Sequence, residues 1–318
     1  MEKEGSIFKQ MNKLGSSRTP FFFIIDFRKI KGKVIPIAEL GDDISFQIDQ
    51  QAVPFSGELE LVKHPISFEK YQKQFDFVKQ NILKGNSYLT NLTSETSINL
   101  NLSLKEIYSF SNAKYKLFWE DKFVCFSPET FVKILDGKIY SYPMKGTIDA
   151  SVENAKEKIL EDEKEKAEHY TIVDLIRNDL SQVAKKVSVS KFRYVEEIKT
   201  NERTLLQVSS EVSGELPEGF HKYLGDILYK LLPAGSICGA PKEKTVEIIC
   251  KAESYDRNFY TGVFGVFDGE NLDSAVMIRF IEQTKKGLVF KSGGGITHQS
   301  TAENEYNEMI QKVYVPIN

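Results

Sequence analysis

Glu129 and Lys145 are the two side chains whose types and spacing best suit acid–base and nucleophilic chemistry. They flank the segment SPETFVKILDGKIYSYPMKGT (127–147). In it, Asp136-Gly137 separates two alternating runs, the strongest short signal for a two-residue hairpin turn. A turn there sets Leu135 opposite Lys138, and the same register puts Glu129 opposite Met144, one residue from Lys145. A lysine becomes a nucleophile when desolvation or a cationic neighbour lowers its pKa. A carboxyl group in an apolar pocket keeps its proton and serves as a general acid. Together the two groups suit replacement of a poor leaving group such as hydroxide. The alternative reading is an exposed ion pair at a hairpin end, which is common and weak.

Two pairs of glutamates repeat one spacing. Glu165 and Glu168 lie at i, i+3, and so do Glu305 and Glu308, so each pair shares a helix face. Four carboxylates from two helices suit a hard divalent cation such as Mg²⁺, which takes one or two protein carboxylates, keeps water and uses substrate oxygens. The alternative is a solvated acidic face, because Glu161 and Glu163 lie alongside. No His/Cys cluster points to zinc.

Arg279, inside the apolar run AVMIRFI, suits either a bidentate carboxylate contact or a structural salt bridge. Tyr260 opens the preceding strand and either caps the core or reaches the same cavity. GGGIT (293–297) is no GxGxxG motif. Gly293, Gly294 and Gly295 directly after a strand instead allow a backbone to approach a ligand closely. GSICGAPKEKT (235–245) resembles a phosphate loop only superficially, because Lys242 follows Ala-Pro where a P-loop needs Gly-Lys-Ser/Thr. Pro241 suits a first helical turn, which leaves that loop at an anion-attracting helix N-terminus.

The elements that must position these residues follow from periodicity. Strands are expected at 21–25, 33–37, 118–126, 131–135, 260–267, 273–281 and 288–292. Helices are expected at 67–84, 152–184, 220–232, 242–252 and 302–313, with residues 41–62 polar and turn-rich. Strand groups and helix groups do not alternate simply, so the fold class is α+β with mainly antiparallel sheets. No linker divides the chain, and a single domain over 1–318 is expected.

Hydrophobic residues at 41% and charged residues at 27% are ordinary for a globular chain, and a net charge of −3 gives no reason to expect nucleic acid. Three cysteines without a CxxC pair fit a reducing compartment. The start MEKEGSIFKQMNK has no apolar signal core, and Phe21–Phe27 is too short to span a bilayer, so a cytoplasmic protein off the membrane is expected.

In order along the chain stand GNSYLTNLT (85–93), SPETF (127–131), PMKGT (143–147), EKAEHYTIVDLIRNDL (165–180), LPAGSICGAPK (232–242), YTGVFG (260–265), AVMIRF (275–280), SGGGIT (292–297) and ENEYNEMIQK (303–312). Together they resemble the chorismate-utilising enzymes, which include anthranilate, aminodeoxychorismate, isochorismate and salicylate synthases. The resemblance covers about 66–314, with residues 1–65 a short N-terminal part. It implies two packed, mainly antiparallel sheets with outer helices and a cleft between the sheets. It further implies that Glu168 and Glu308 hold Mg²⁺, with Glu165 and Glu305 lining the same site. Tyr260, Arg279 and glycines 293–295 would bind the carboxylates of chorismate, Gly146 and Thr147 would lie beside its ring, and Glu129 would protonate the departing hydroxyl.

Lys145 points to the aminodeoxychorismate synthase component I branch, where the lysine of a similar Pro-Ile-Lys-Gly-Thr motif attacks ring C2. Anthranilate synthases normally carry alanine there, and isochorismate and salicylate synthases activate water with a lysine that GNSYLTNLT lacks at its centre. Two positions depart from the pattern: Gln207 replaces a histidine usual in several relatives, and Cys238 replaces a threonine. No glutaminase module is recognisable, so ammonia is expected from solution or from a separate glutamine amidotransferase subunit.

Overall fold

The run Phe21–Ile25 is FFFII with all five side chains buried, which requires cover on both faces of its sheet. Phe21, Phe23 and Ile25 enter one hydrophobic cluster, whereas Phe22 and Ile24 enter another. Two layers of core therefore meet across one strand.

The computed structural model describes residues 5–199 and 204–317. The chain runs through α1 (Ser6–Ser16), β1 (Phe21–Ile25), β2 (Gly32–Pro36), β3 (Ile44–Ile48), β4 (Leu61–His64), α2 (Phe68–Leu83) and β5 (Leu89–Leu100). Next come α3 (Leu104–Phe110), β6 (Tyr115–Trp119), β7 (Phe123–Ser127), β8 (Thr130–Leu135), β9 (Lys138–Ser141) and β10 (Met144–Asp149). Helices α4 (Ala155–Glu161) and α5 (Glu163–Ser181) precede the long strands β11 (Lys185–Lys199) and β12 (Thr204–Glu215). Then follow α6 (Leu224–Leu231), β13 (Gly239–Ala240), α7 (Lys242–Ala252), β14 (Val263–Phe267), β15 (Leu272–Val276), β16 (Phe280–Thr284), β17 (Gly287–Ile296) and α8 (Ala302–Gln311).

Among the described residues the strands form a nine-stranded sheet, with path β10-β12-β9-β8-β15-β14-β1-β2 and β11 beside β12. They also form an eight-stranded sheet, β13-β5-β17-β16-β7-β6-β3 with β4 beside β5. Every strand pair is antiparallel. Side chains of α1, α5 and α6 pack on one face of the larger sheet. Its other face meets the smaller sheet through Phe22, Phe264, Leu117, Trp119 and Phe123. The smaller sheet is covered in turn by α2, α7 and α8 through Tyr71, Val78, Leu92, Ile248 and Met309. The fold is thus two packed antiparallel sheets with helices outside.

Local chemistry explains where elements stop. Ser67 caps α2 by accepting from the Lys70 amide, and Ser103 and Glu106 form a capping box on α3. The helix expected over 152–184 is two helices, because Asp162 leaves helical geometry and caps α5 by accepting from the Glu165 amide. The strand expected over 118–126 folds back on itself as β6 and β7. Residues 41–62 are not wholly irregular: β3 pairs with β6, and β4 begins at Leu61. The helix expected from Phe220 starts with a 3₁₀ turn and becomes α-helical at Leu224. The three glycines do not follow a strand but lie within β17, paired with Thr93, Leu92 and Asn91. Pro241 stands as the N-cap of α7 rather than inside its first turn.

Candidate active site

The run expected as one strand over 273–281 is two strands in different sheets. β15 pairs with β8 and β14 in the larger sheet, and β16 pairs with β7 and β17 in the smaller. The chain changes sheet across Met277–Arg279, and Arg279 adopts φ +54°, left-handed backbone that a non-glycine residue rarely takes. Beside it a second switch runs from β7 to β8 across Pro128 and Glu129. The two switches are tied together: the Val276 amide donates to the Glu129 carbonyl and the Phe126 amide to the Arg279 carbonyl, each at 3.1 Å. Glu129 and Arg279 therefore stand at the seam between the sheets.

Lys145 arrives by a different device. The Asp136-Gly137 turn forms as expected, with Leu135 opposite Lys138, but its ladder ends at Lys133 and Tyr140. Glu129 does not pair with Met144, because β10 aligns along β12 instead of β8. In that pairing Met144 faces Ser209 and Thr147 faces Gln207, so Lys145 and Gly146 form a bulge, with Gly146 at φ +78°. A bulge re-aims a side chain, and glycine supplies the backbone angle it needs.

The bulge delivers the Lys145 ammonium to Glu168 on α5, 2.8 Å away. A Cβ on Gly146 would stand 3.2 Å from Glu165. A Cβ on Gly294 would stand 3.1 Å from Glu305 and 3.5 Å from Glu308, and one on Gly295 would lie 4.0 Å from Lys145 Nζ. The four glutamates thus line one region, facing the bulge of β10 and the glycine run of β17. Their oxygens are hard donors with no imidazole or thiolate among them, a chemistry that fits Mg²⁺. Among the described residues no three are gathered into a ready-made cage. An ion that binds few protein carboxylates and completes its sphere with water and substrate does not require one.

The electrostatics separate the candidates. Burial pushes the Glu129 carboxyl above its usual range, although the hydrogen bond from Ser236 and the charges of Arg279, Lys145 and Lys312 oppose it. Burial alone would lower the Lys145 ammonium, but its bond to Glu168 and the charges of Glu168, Glu165 and Glu308 raise it overall. This is the reverse of the lowering expected for a nucleophilic lysine, because the expected cationic neighbour is instead a cluster of carboxylates. Arg279 is not part of a structural salt bridge. Its guanidinium donates through Nε to Tyr314 at 3.3 Å and stacks on that ring, with no carboxylate in ion-pair range among the described residues. Tyr260 does not open the strand expected over 260–267 but lies in the turn before β14, closed by its amide donating to the Arg257 carbonyl. Its ring is buried against Phe280, near enough for Arg279 to influence its hydroxyl. Thr147 is exposed on β10. Burial pushes the Cys238 thiol up to about 12, so it is no nucleophile.

A profile of the chorismate binding enzyme family matches residues 32–318. The chain belongs to this family. An uncharacterised PabA-like protein of Pasteurella multocida is 52% identical to this chorismate-binding enzyme, across 98% of both chains. Anthranilate synthase component 1 of Archaeoglobus fulgidus is 32% identical over 78% of the chain, and aminodeoxychorismate synthase component 1 of Bacillus subtilis is 30% identical over 79%. The chain spans 61% and 55% of those two relatives. An isochorismate synthase structure from Bacillus anthracis shares the fold, with TM-score 0.70, 20% identity and coverage of 96% of this chain and 87% of that one.

In this chorismate-binding enzyme three side chains not singled out from sequence contact the candidate residues. Lys312 reaches Glu308 at 2.6 Å and the Gly293 carbonyl at 2.9 Å. Its signal was the i, i+4 spacing within ENEYNEMIQK. Ser236 bonds Glu129 from the 3₁₀ turn before β13. Tyr314 lies beyond the last motif and carried no signal at all.

Proposed function

We propose that this chorismate-binding enzyme is an aminodeoxychorismate synthase component I, which converts chorismate and ammonia to 4-amino-4-deoxychorismate for 4-aminobenzoate and folate synthesis. One observation carries the reading: Lys145, aimed by the β10 bulge into a region shared with Glu168, Gly295 and Glu129. At family level the relatives include both anthranilate and aminodeoxychorismate synthases, so the branch rests on that lysine. Gln207 lies opposite Thr147 on the neighbouring strand, and the resemblance implies at that place a histidine linked to the anthranilate reaction, so glutamine there argues against pyruvate elimination.

The steps follow from the groups in place. Arg279, Tyr260 and the backbone of Gly293, Gly294 and Gly295 hold the substrate carboxylates, with Gly146 and Thr147 beside the ring. Lys145 must lose its proton to solvent before it attacks, because Glu168, its partner at 2.8 Å, is also a proposed ligand of the cation. Its Nζ then bonds to C2 while the C4–oxygen bond breaks and Glu129 protonates the departing hydroxyl to water. Burial that keeps Glu129 protonated suits that donor role. Ammonia then bonds to C4 and the C2–nitrogen bond breaks, which returns the lysine.

Glu168 and Glu308, with Glu165 and Glu305 beside them, would hold Mg²⁺. The ion would supply positive charge to grip and orient the ring carboxylate. A glutamine amidotransferase subunit in the cytoplasm would deliver the ammonia. The test is mass spectrometry of products from the purified protein with chorismate, Mg²⁺ and an ammonium salt. Aminodeoxychorismate is expected, and anthranilate with pyruvate would overturn the branch.

A further inference from the structure

We infer that Tyr314 is a positioning residue for Arg279, holding the guanidinium so that its two Nη groups face an incoming substrate carboxylate. This rests on the reading above, and it concerns a residue outside every motif that suggested it. Arg279 sits on strained backbone at the strand switch, and its side chain has neither a carboxylate nor a carbonyl partner among the described residues. Tyr314 supplies what orders it: the phenol oxygen accepts from Nε at 3.3 Å, and the guanidinium carbon lies 5.2 Å from the ring centroid. One of the five N–H donors is thereby engaged, and the remaining edge keeps the fork that matches a carboxylate.

The tail makes Tyr314 a fixed support. Val313 and Val315 on either side are buried with Val124, Phe126, Ile281 and Phe290, so Tyr314 must point the other way. Just beyond, the Asn112 amide donates to the Pro316 carbonyl at 2.7 Å, and Ser111 bridges Ile317. The phenol is thus held by backbone pinned on both sides, while its ring remains exposed.

The experiment compares chorismate affinity by calorimetry and steady-state kinetics for the wild type, Tyr314→Phe, Tyr314→Ala and both changes in an Arg279→Gln background. Tyr314→Ala should raise KM by roughly tenfold and change kcat by less than about twofold, while Tyr314→Phe, which keeps the ring, should raise KM by about threefold. In the Arg279→Gln background neither change should matter further. An unchanged KM, or the same loss with Arg279 absent, would overturn the inference while leaving the reaction intact. A wild-type chain that does not bind chorismate would instead remove the proposed function, and this inference with it.

Discussion

At the scale of single residues the proposed chemistry depends on Glu129 and Lys145, whose proton affinities are both raised, which suits Glu129 as a donor and opposes Lys145 as a nucleophile until its proton is lost. Glu129 acts as an acid only while protonated, so its contribution is full below its elevated pKa and is lost as pH rises through it. Glu129→Gln should therefore lower kcat by about 10²- to 10⁴-fold and remove that alkaline decline from the pH–rate profile. A Gln variant with an unaltered profile would assign the limb elsewhere. Both residues were legible as candidates from the sequence, but their meeting was derived from a single hairpin ladder. In the structure two neighbouring sheet switches place Glu129 and Arg279, and a bulge on another strand pair places Lys145. Spacing along one hairpin cannot report how a strand chooses its second neighbour.

At the scale of elements, the helices with clear caps and stripes were readable. The helix expected over 242–252 is α7 itself, and α2 and α8 differ from expectation by one or two residues at their ends. Switches between sheets were not readable, because AVMIRFI is apolar on both sides of the break and only the backbone angle of Arg279 reveals it. Strands β5, β11 and β12 went beyond expectation for a related reason. Their residues mix polar and apolar side chains, and pairing partners far along the chain decide their state. The glycine run yields a prediction at this scale. A Cβ on Gly293 would stand 2.2 Å from the Leu92 carbonyl, rigid backbone of β5, whereas one on Gly294 meets the movable ends of Glu305 and Glu308. Gly293→Ala should lower Tm by several degrees, corresponding to about 1–3 kcal/mol of overpacking. Gly294→Ala should leave Tm nearly unchanged yet reduce turnover and its response to Mg²⁺. Equal melting losses in the two variants would contradict the geometry.

At the scale of the whole molecule, several elements are joined by a buried ion pair that the sequence did not advertise. Arg257 donates to both oxygens of Glu253, to the carbonyls of Ile237 and Asn91, and to the Thr261 hydroxyl. Glu253 also accepts from the amide and hydroxyl of Thr93. Both side chains are almost wholly buried, so the pair links α7, β5, the loop before β13 and the turn that leads into β14. Removing one member leaves a charge and several polar groups buried without partners, which costs about 3–5 kcal/mol. Arg257→Met should shift the urea midpoint accordingly, and a midpoint within error of the wild type would show that the pair is not a brace. No helix among the described residues is long and apolar enough to cross a membrane.

In the proposed reaction Lys145, rather than ammonia, makes the first bond to the ring. The most direct measurement is product identity and rate for Lys145→Ala beside the wild type, with chorismate, Mg²⁺ and ammonium. Aminodeoxychorismate formation is expected to fall by at least about 10²-fold, the scale of losing a covalent catalyst. Aminodeoxychorismate formed by the variant at the wild-type rate would contradict it.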